Sequence, residues 1–178
     1  MRVIVTPVQV RGTERVVLGV AEFEALFVAG WEPVFRYCLS LTRQTDEAEE
    51  TTAETFRRAY ASWVEGRGPG GQPLAWLFLI ARRIVIDRRR RHRLIGWLPL
   101  GSRDPAAEDP FRRSELWLWF EQLCRALPER QREVLVLRYH FDLPDEEIGR
   151  LMRLSPAGVR TLASRALAAL RRQPEVMD

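Results

Sequence analysis

The sequence predicts an all-α fold of two small helical domains joined by a linker, with a helix-turn-helix at the end of the second domain. Three observations lead to this prediction. Apolar residues recur at spacings of three and four after residue 20, and no strand pattern follows that point. A stretch rich in Pro, Gly and acidic residues, 94–115, interrupts the helical pattern. A short and a longer apolar stripe then meet at Ser155–Pro156, as in a helix-turn-helix.

The composition limits the kind of protein this chain can be. It has 178 residues, of which 46% are hydrophobic, enough for packed cores. No apolar run approaches the roughly 20 residues of a membrane span, and the first residues lack the apolar core of a signal peptide. Cys38 and Cys124 lie in helical apolar patterns, which favours buried thiols over a disulfide. We therefore expect a cytoplasmic protein without membrane insertion.

The basic residues exclude several kinds of enzyme. All 28 are arginine, so a P-loop lysine, a Schiff-base lysine and a lysine general base are absent. His92 and His140 do not stand at metal-ligand spacing with the cysteines, and no nucleophile–base motif is present. We expect no enzymatic activity, no metal and no cofactor.

A cluster of arginines marks one helix as a nucleic-acid contact. After the Gly- and Pro-rich loop 66–73, a helix is predicted from Leu74 to Arg91. Seven arginines fall within residues 82–93, where Asp87 is the only acid. Capping a helix C-terminus needs fewer cations. A polyanion that neutralises the cluster through phosphate contacts explains it best.

The first domain contains two further predicted helices. An apolar stripe begins at Phe23, and Pro33 should break or kink it into two helices. Asp46 is predicted to cap the next helix, which has an apolar stripe ending at Trp63 and an acidic opposite face. That face is either an ordinary solvated surface or a binding surface for a basic partner.

Residues 143–172 form the predicted helix-turn-helix. Ser155 should cap the second helix and Pro156 should occupy its first turn. Taken alone, this stretch fits a plain helical hairpin as well as a DNA-reading motif. We expect the chain to divide into a flexible leader (1–20), a first helical domain (21–93), a linker (94–115), a second helical domain (116–173) and a tail (174–178).

The motifs of these helices, taken in order, resemble those of bacterial RNA polymerase sigma factors of the extracytoplasmic-function class. Glu47–Phe56 is similar to the acidic signature of that family's first domain, and Ala75–Arg91 to its Ala-Trp-Leu-x-x-Ile-Ala-Arg helix with a basic end. In the second domain, Leu127–Val134, Glu146–Ile148 and Val159–Ala166 follow at the expected places. The resemblance covers about residues 22–172, and five motifs in order make it specific.

The resemblance implies a sigma factor that binds core RNA polymerase and directs promoter-specific initiation through minus-ten and minus-thirty-five contacts. The implied contacts with the β′ clamp helices are Glu50, Thr51, Glu54 and Phe56. The implied residues for minus-ten recognition and melting are Trp76, Arg82, Arg83, Arg88, Arg89, Arg90 and Arg91, which combine an aromatic platform with a cationic track. The implied minus-thirty-five contacts are Arg160, Thr161, Ser164 and Arg165. The family also implies the polymerase β flap and an anti-sigma factor as partners.

The sequence departs from the family at several of these positions. Arg83 stands where the family usually has an Asn linked to the choice of a minus-ten base, and Leu162 stands where it has Arg. Thr51-Thr52 replaces a common Leu-Val, and Pro144 replaces the usual Ser cap. The promoter sequence therefore cannot be inferred from relatives.

Three other interpretations of the sequence compete with the sigma-factor hypothesis. A stand-alone helix-turn-helix regulator would bind duplex DNA without polymerase, but it leaves the acidic helix and the Trp-rich first domain unexplained. An enzyme such as a nuclease or metal-dependent hydrolase lacks the ligands it would need. A purely structural helical protein does not explain the arginine cluster.

Overall fold

The computed structural model describes residues 19–95 and 115–172, and every regular element within these ranges is helical. Residues 1–18 of the predicted leader, most of the predicted linker and the tail lie outside the described residues. The helices are α1 (Val20–Thr42), α2 (Thr45–Val64), α3 (Pro73–Ile95), α4 (Glu115–Cys124), α5 (Glu129–Leu135), α6 (Asp145–Met152) and α7 (Pro156–Leu170), and a π-helical segment (Val136–His140) follows α5.

Helix α1 runs without a break through Pro33, so the predicted division into two helices is wrong. Proline removes one backbone hydrogen bond and crowds the preceding turn, which ordinarily disfavours a continuous helix. Packing on both sides of the proline compensates here. Val34 and Phe35 are fully buried after it, and the Trp31 ring before it stacks on Phe56 of α2 with 5.6 Å between ring centroids.

Helix α2 begins one residue before the predicted cap. Gln44 occupies the N-cap position without a side-chain hydrogen bond, and Asp46 lies inside the first turn with Glu47. Asp46 is therefore not the cap, although both carboxylates interact favourably with the positive end of the helix dipole. Helices α1, α2 and α3 pack against one another and form the first half of the structure.

The helix predicted after Leu127 consists of two parts. Helix α5 ends at Leu135, and the chain then widens into the π-helical segment, in which the Phe141 N–H donates to the Val136 carbonyl at 3.1 Å. Such widening accommodates an extra residue and turns the following side chains. Here it precedes Phe141, whose ring lies 4.6 Å from that of Phe78 in α3.

The two halves of the molecule are in contact. Helix α5 packs against α1, and α6 packs against α3. The buried apolar residues of both halves form one continuous cluster. The second half ends in the predicted helix-turn-helix, α6 followed by α7, with α7 packed against both α5 and α6.

Candidate nucleic-acid and partner-binding surfaces

The four residues predicted to read DNA lie together on the outer face of α7. Ser155 accepts a hydrogen bond from the Gly158 N–H at 3.1 Å and Pro156 follows it, so the cap that the sequence predicts is confirmed. Val159, Ala163 and Ala166 turn inward and are buried. The exposed residues between them are Arg160, Thr161, Ser164 and Arg165. This face carries two cations and two hydroxyls, the groups that contact phosphates and base edges.

A carboxylate that the sequence reasoning missed holds one of these arginines. Asp145, in the first turn of α6, lies 3.5 Å from Arg160 Nη1 through one oxygen and 3.3 Å from Arg138 Nη1 through the other. The Asp145 side chain is mostly covered, whereas Arg160 is largely exposed. Asp145 of α6 therefore restrains Arg160 at the N-terminal end of the exposed face of α7. The only signal in the sequence was an acidic first turn in α6.

The corner between α6 and α7 is closed by backbone contacts. Arg153 ends α6 in the left-handed conformation, with φ 55°. The Leu154 N–H donates to the Gly149 carbonyl at 2.9 Å. This bond satisfies the Gly149 carbonyl in the last turn of α6 and helps to set the direction in which α7 departs.

The predicted arginine cluster of α3 divides into two groups. Arg83, Arg90 and Arg91 are exposed, whereas Arg82, Arg88 and Arg89 are partly buried. Arg88 Nη1 lies 3.3 Å from both the Glu50 carboxylate and the Thr51 hydroxyl. Arg89 pairs with Glu129 of α5 and donates to the Leu41 carbonyl. In this conformation, four of these six cations interact with groups of the protein itself, since Arg91 Nε also donates to the Asp87 carbonyl at 3.4 Å.

Trp76 is half-buried at the start of the same helix. Its ring lies 6.4 Å from that of Trp63, whose Nε1 donates to the Gly19 carbonyl at 3.3 Å. Trp76 is therefore not fully covered, and an aromatic side chain of this kind is what a stacking platform for a base requires.

The predicted polymerase-binding residues of α2 are not equally exposed. Glu50 is 72% exposed. Thr51 and Phe56 are buried, so neither side chain can touch a partner in this conformation. Glu54 binds Arg57 and Arg58 at 2.7 and 2.6 Å, and these hydrogen bonds lower the pKa of its carboxyl to about 2. The accessible acidic surface therefore consists of Glu50, part of Glu54 and the neighbouring acids of α2.

A second missed residue, Glu133 of α5, lies between the two halves. It is 2% exposed and accepts hydrogen bonds from the Tyr37 hydroxyl at 2.8 Å and from Arg82 Nε at 2.7 Å. Burial and the nearby Glu133 charge raise the pKa of Tyr37 well above its usual value. Arg82 is thus engaged by the second half of the molecule. Nothing in the sequence pattern of α5 indicated such a pairing.

Among the described residues, no group of three or more His, Cys, Asp or Glu side chains is placed to hold a metal ion. None of the helices described is both long and apolar enough to cross a membrane. Cys38 and Cys124 are both buried thiols, as the sequence predicts.

Comparison with known families accounts for both halves. Residues 32–95 match the family described as sigma-70 region 2, and residues 117–170 match the family described as sigma-70 region 4.

Individual relatives match over most of their length. The extracytoplasmic-function RNA polymerase sigma factor SigM of Bacillus subtilis is 31% identical over 146 residues, which cover 78% of this chain and 86% of SigM. SigW of the same organism is 26% identical and covers 80% of this chain and 83% of SigW. The solved structure of the Bartonella quintana sigma factor RpoE, in complex with the anti-sigma factor NepR, superposes with a TM-score of 0.71 at 22% identity, over 85% of this chain and 96% of RpoE.

Proposed function

The chain belongs to the extracytoplasmic-function class of sigma-70 family sigma factors, and from this premise we propose which of its surfaces carry out promoter-specific transcription initiation. The observation that supports the assignment most directly is the presence of two separate basic faces, on α3 and α7, in one chain that matches both sigma regions. We take residues 21–93 and 116–173 as the two functional domains, joined by 94–115.

Helix α7 is the proposed reader of the minus-thirty-five element in the major groove. Its exposed residues share one face, and an arginine with two parallel hydrogen bonds to guanine typically contributes about 1–3 kcal/mol of discrimination. The restraint of Arg160 by Asp145 supports this role, because a partly fixed guanidinium loses less freedom on binding.

Helix α3 is the proposed site of minus-ten recognition and melting. Trp76 supplies a stacking surface, and the exposed Arg83, Arg90 and Arg91 supply a cationic track for the separated strand. Arg82, Arg88 and Arg89 can join that track only after giving up their present partners.

Helix α2 is the proposed contact with the β′ clamp helices of core polymerase. Glu50 and Glu54 are the accessible acids that support it. Thr51 and Phe56 are buried and support this surface indirectly. The Thr51 hydroxyl accepts a hydrogen bond from Arg88, and the Phe56 ring stacks on Trp31. The β flap is the proposed polymerase contact of the second domain.

An anti-sigma factor is a further proposed partner, because the solved relative RpoE is held by one. We place the protein in the cytoplasm, where RNA polymerase acts, and assign it no catalytic step of its own.

Transcription with purified components tests the proposal. Core polymerase from the source organism is mixed with a library of its genomic fragments, with and without this protein, and run-off transcripts are sequenced. We expect new start sites that require the protein. A stand-alone helix-turn-helix regulator would instead bind duplex fragments without binding core polymerase, and transcript patterns unchanged by the protein would overturn the sigma assignment.

A further inference from the structure

A buried carboxylate joins the two halves of the molecule at one point. Glu133 of α5 accepts a hydrogen bond from Tyr37 of α1 and another from Arg82 of α3, both within 2.8 Å. Tyr37 is fully buried and Glu133 is nearly so. One side chain of the second half therefore connects to two helices of the first half.

Further contacts surround this centre. Arg132, next to Glu133, donates through Nε to the Ser40 carbonyl of α1 at 2.8 Å. Glu129, one turn earlier, pairs with Arg89 of α3. On the other side, the Phe141 ring lies against Phe78 and Tyr37. The contact between the halves thus has a charged centre beside the apolar residues that also join the two halves.

The charged centre of this contact makes opening less costly than it would be for a wholly apolar contact. Charged groups regain their hydration when they separate, so a buried ion pair adds less net stability than an apolar contact of similar size. Residues 96–114, nineteen in number, connect α3 to α4 and can span up to about 60 Å when extended. The connection therefore permits the halves to separate widely.

The proposed function requires such separation. Minus-ten and minus-thirty-five elements lie about 25 base pairs apart, or about 85 Å at about 3.4 Å per base pair. A compact chain of this length has a radius of gyration of about 16 Å. The closed molecule cannot place α3 and α7 on both elements at once. Moreover, the closed contact occupies Arg82 and Arg89, two of the cations proposed for the minus-ten strand.

We propose that Glu133, Tyr37 and Arg82 form an interdomain latch that keeps the free sigma factor closed and withholds Arg82 and Arg89 from DNA until the halves separate. This inference rests on the proposed function, which assigns these arginines to DNA. The latch lowers the binding of free sigma factor to DNA outside the polymerase, because only the open fraction can use all of the cations.

The test uses the full chain without polymerase and compares wild type with Glu133→Gln. X-ray scattering gives the radius of gyration, and a 12-nucleotide poly-dT strand titrated at several salt concentrations gives the affinity and its salt dependence. We expect the variant to have a larger radius. Release of Arg82 and Arg89 should also steepen the slope of log K against log salt by about 1.4, or about 0.7 for each new phosphate contact.

A matched control separates this effect from a simple change of charge. Glu147→Gln removes the same charge from α6, where Glu147 pairs with the exposed Arg150 of its own helix and not with a charge of the first half. It should leave both the radius and the slope unchanged. An equal change in Glu147→Gln would overturn the latch.

A second variant guards against loss of folding. Tyr37→Phe keeps the ring that packs on Phe78 and removes only the hydroxyl bonded to Glu133. If Glu133→Gln loses the helical circular dichroism signal, the radius of gyration and the salt slope of Tyr37→Phe provide the test instead. Wild-type radius and slope in a fully helical Tyr37→Phe would then refute the proposal. Failure of the sigma assignment would appear separately, as the absence of wild-type run-off transcripts.

Discussion

Gly149 and Leu154 lie so close at the corner of the helix-turn-helix that a Cβ on Gly149 would stand 2.6 Å from the Leu154 carbonyl oxygen. That oxygen belongs to the backbone and cannot move aside without shifting α7. Gly149 lies within α6, where alanine would ordinarily be favoured by up to about 1 kcal/mol. The close approach of the backbone therefore accounts for glycine at this position.

The first prediction concerns this glycine. Gly149→Ala should lower the free energy of unfolding by about 1–3 kcal/mol, because the clash outweighs the gain in helix propensity. Urea denaturation followed by circular dichroism measures it. Gly71→Ala, where an added Cβ meets nothing within 4 Å, is the control and should change little. A stabilised Gly149→Ala would show that the corner can relax.

The second prediction concerns the exposed face of α7. Arg160→Ala and Arg165→Ala should each weaken the binding free energy for a promoter selected by the reconstituted holoenzyme by about 1–3 kcal/mol. Each should also relax the base preference in the minus-thirty-five element. Titration of that duplex and of a scrambled version measures the difference. Arg150→Ala, an exposed arginine of α6, should leave the ratio unchanged. Equal weakening on both duplexes would make these arginines phosphate contacts only.

The third prediction concerns the positioning of Arg160. Asp145→Asn removes the carboxylate that holds Arg160 and Arg138, so Arg160 should sample more orientations. Affinity for scrambled DNA should rise because a negative charge near the DNA is lost, while discrimination for the minus-thirty-five sequence should fall. Glu147→Gln on the same helix is the charge-matched control. Retained discrimination in Asp145→Asn would show that Arg160 needs no restraint.

The fourth prediction concerns the exposed end of the α3 cluster. Arg90→Ala and Arg91→Ala should each reduce the slope of log K against log salt for single-stranded DNA by about 0.7. Arg57→Ala, which removes an exposed arginine held by Glu54 on α2, should leave the slope unchanged. Salt titrations with poly-dT provide the measurement. Slopes that do not differ between these variants would place the single strand elsewhere.

The fifth prediction concerns the buried thiol of Cys38. Burial raises its pKa from a usual value near 9 to about 12. In the folded protein Cys38 is therefore a neutral thiol at pH 8. Because this thiol ionises near pH 9 in the unfolded chain and only near pH 12 in the folded protein, the free energy of unfolding falls as the pH rises from about 9 toward 12. Cys38 should not react with Ellman's reagent at pH 8 in the native protein and should react fully in urea. Rapid native labelling would mean that α1 opens locally.

Much of this fold follows from local patterns in the sequence. The helical character of the chain and the cap at Ser155 depend on spacing and on residues close in the chain, and both predictions are confirmed. The shared face of Arg160, Thr161, Ser164 and Arg165 follows from the same helical geometry. Their role on DNA stays a prediction.

Other features depended on residues that are distant in sequence. Helix α1 continues through Pro33 because α2 packs against it, which no local pattern expresses. Glu133 lies 96 residues from Tyr37 and 51 from Arg82. In the sequence it is one more acid in a short helix.

The sequence by itself determined that the chain is helical, that it has a basic helix and a helix-turn-helix, and that its motifs are those of a sigma factor. Only the tertiary structure decided which arginines are exposed and which are engaged, since a charge count does not tell where a carboxylate will be buried. It also decided that Thr51 and Phe56 lie inside and that Glu133 connects the two halves. Side-chain burial and pairing arise when helices pack, and that packing joins segments the sequence keeps far apart.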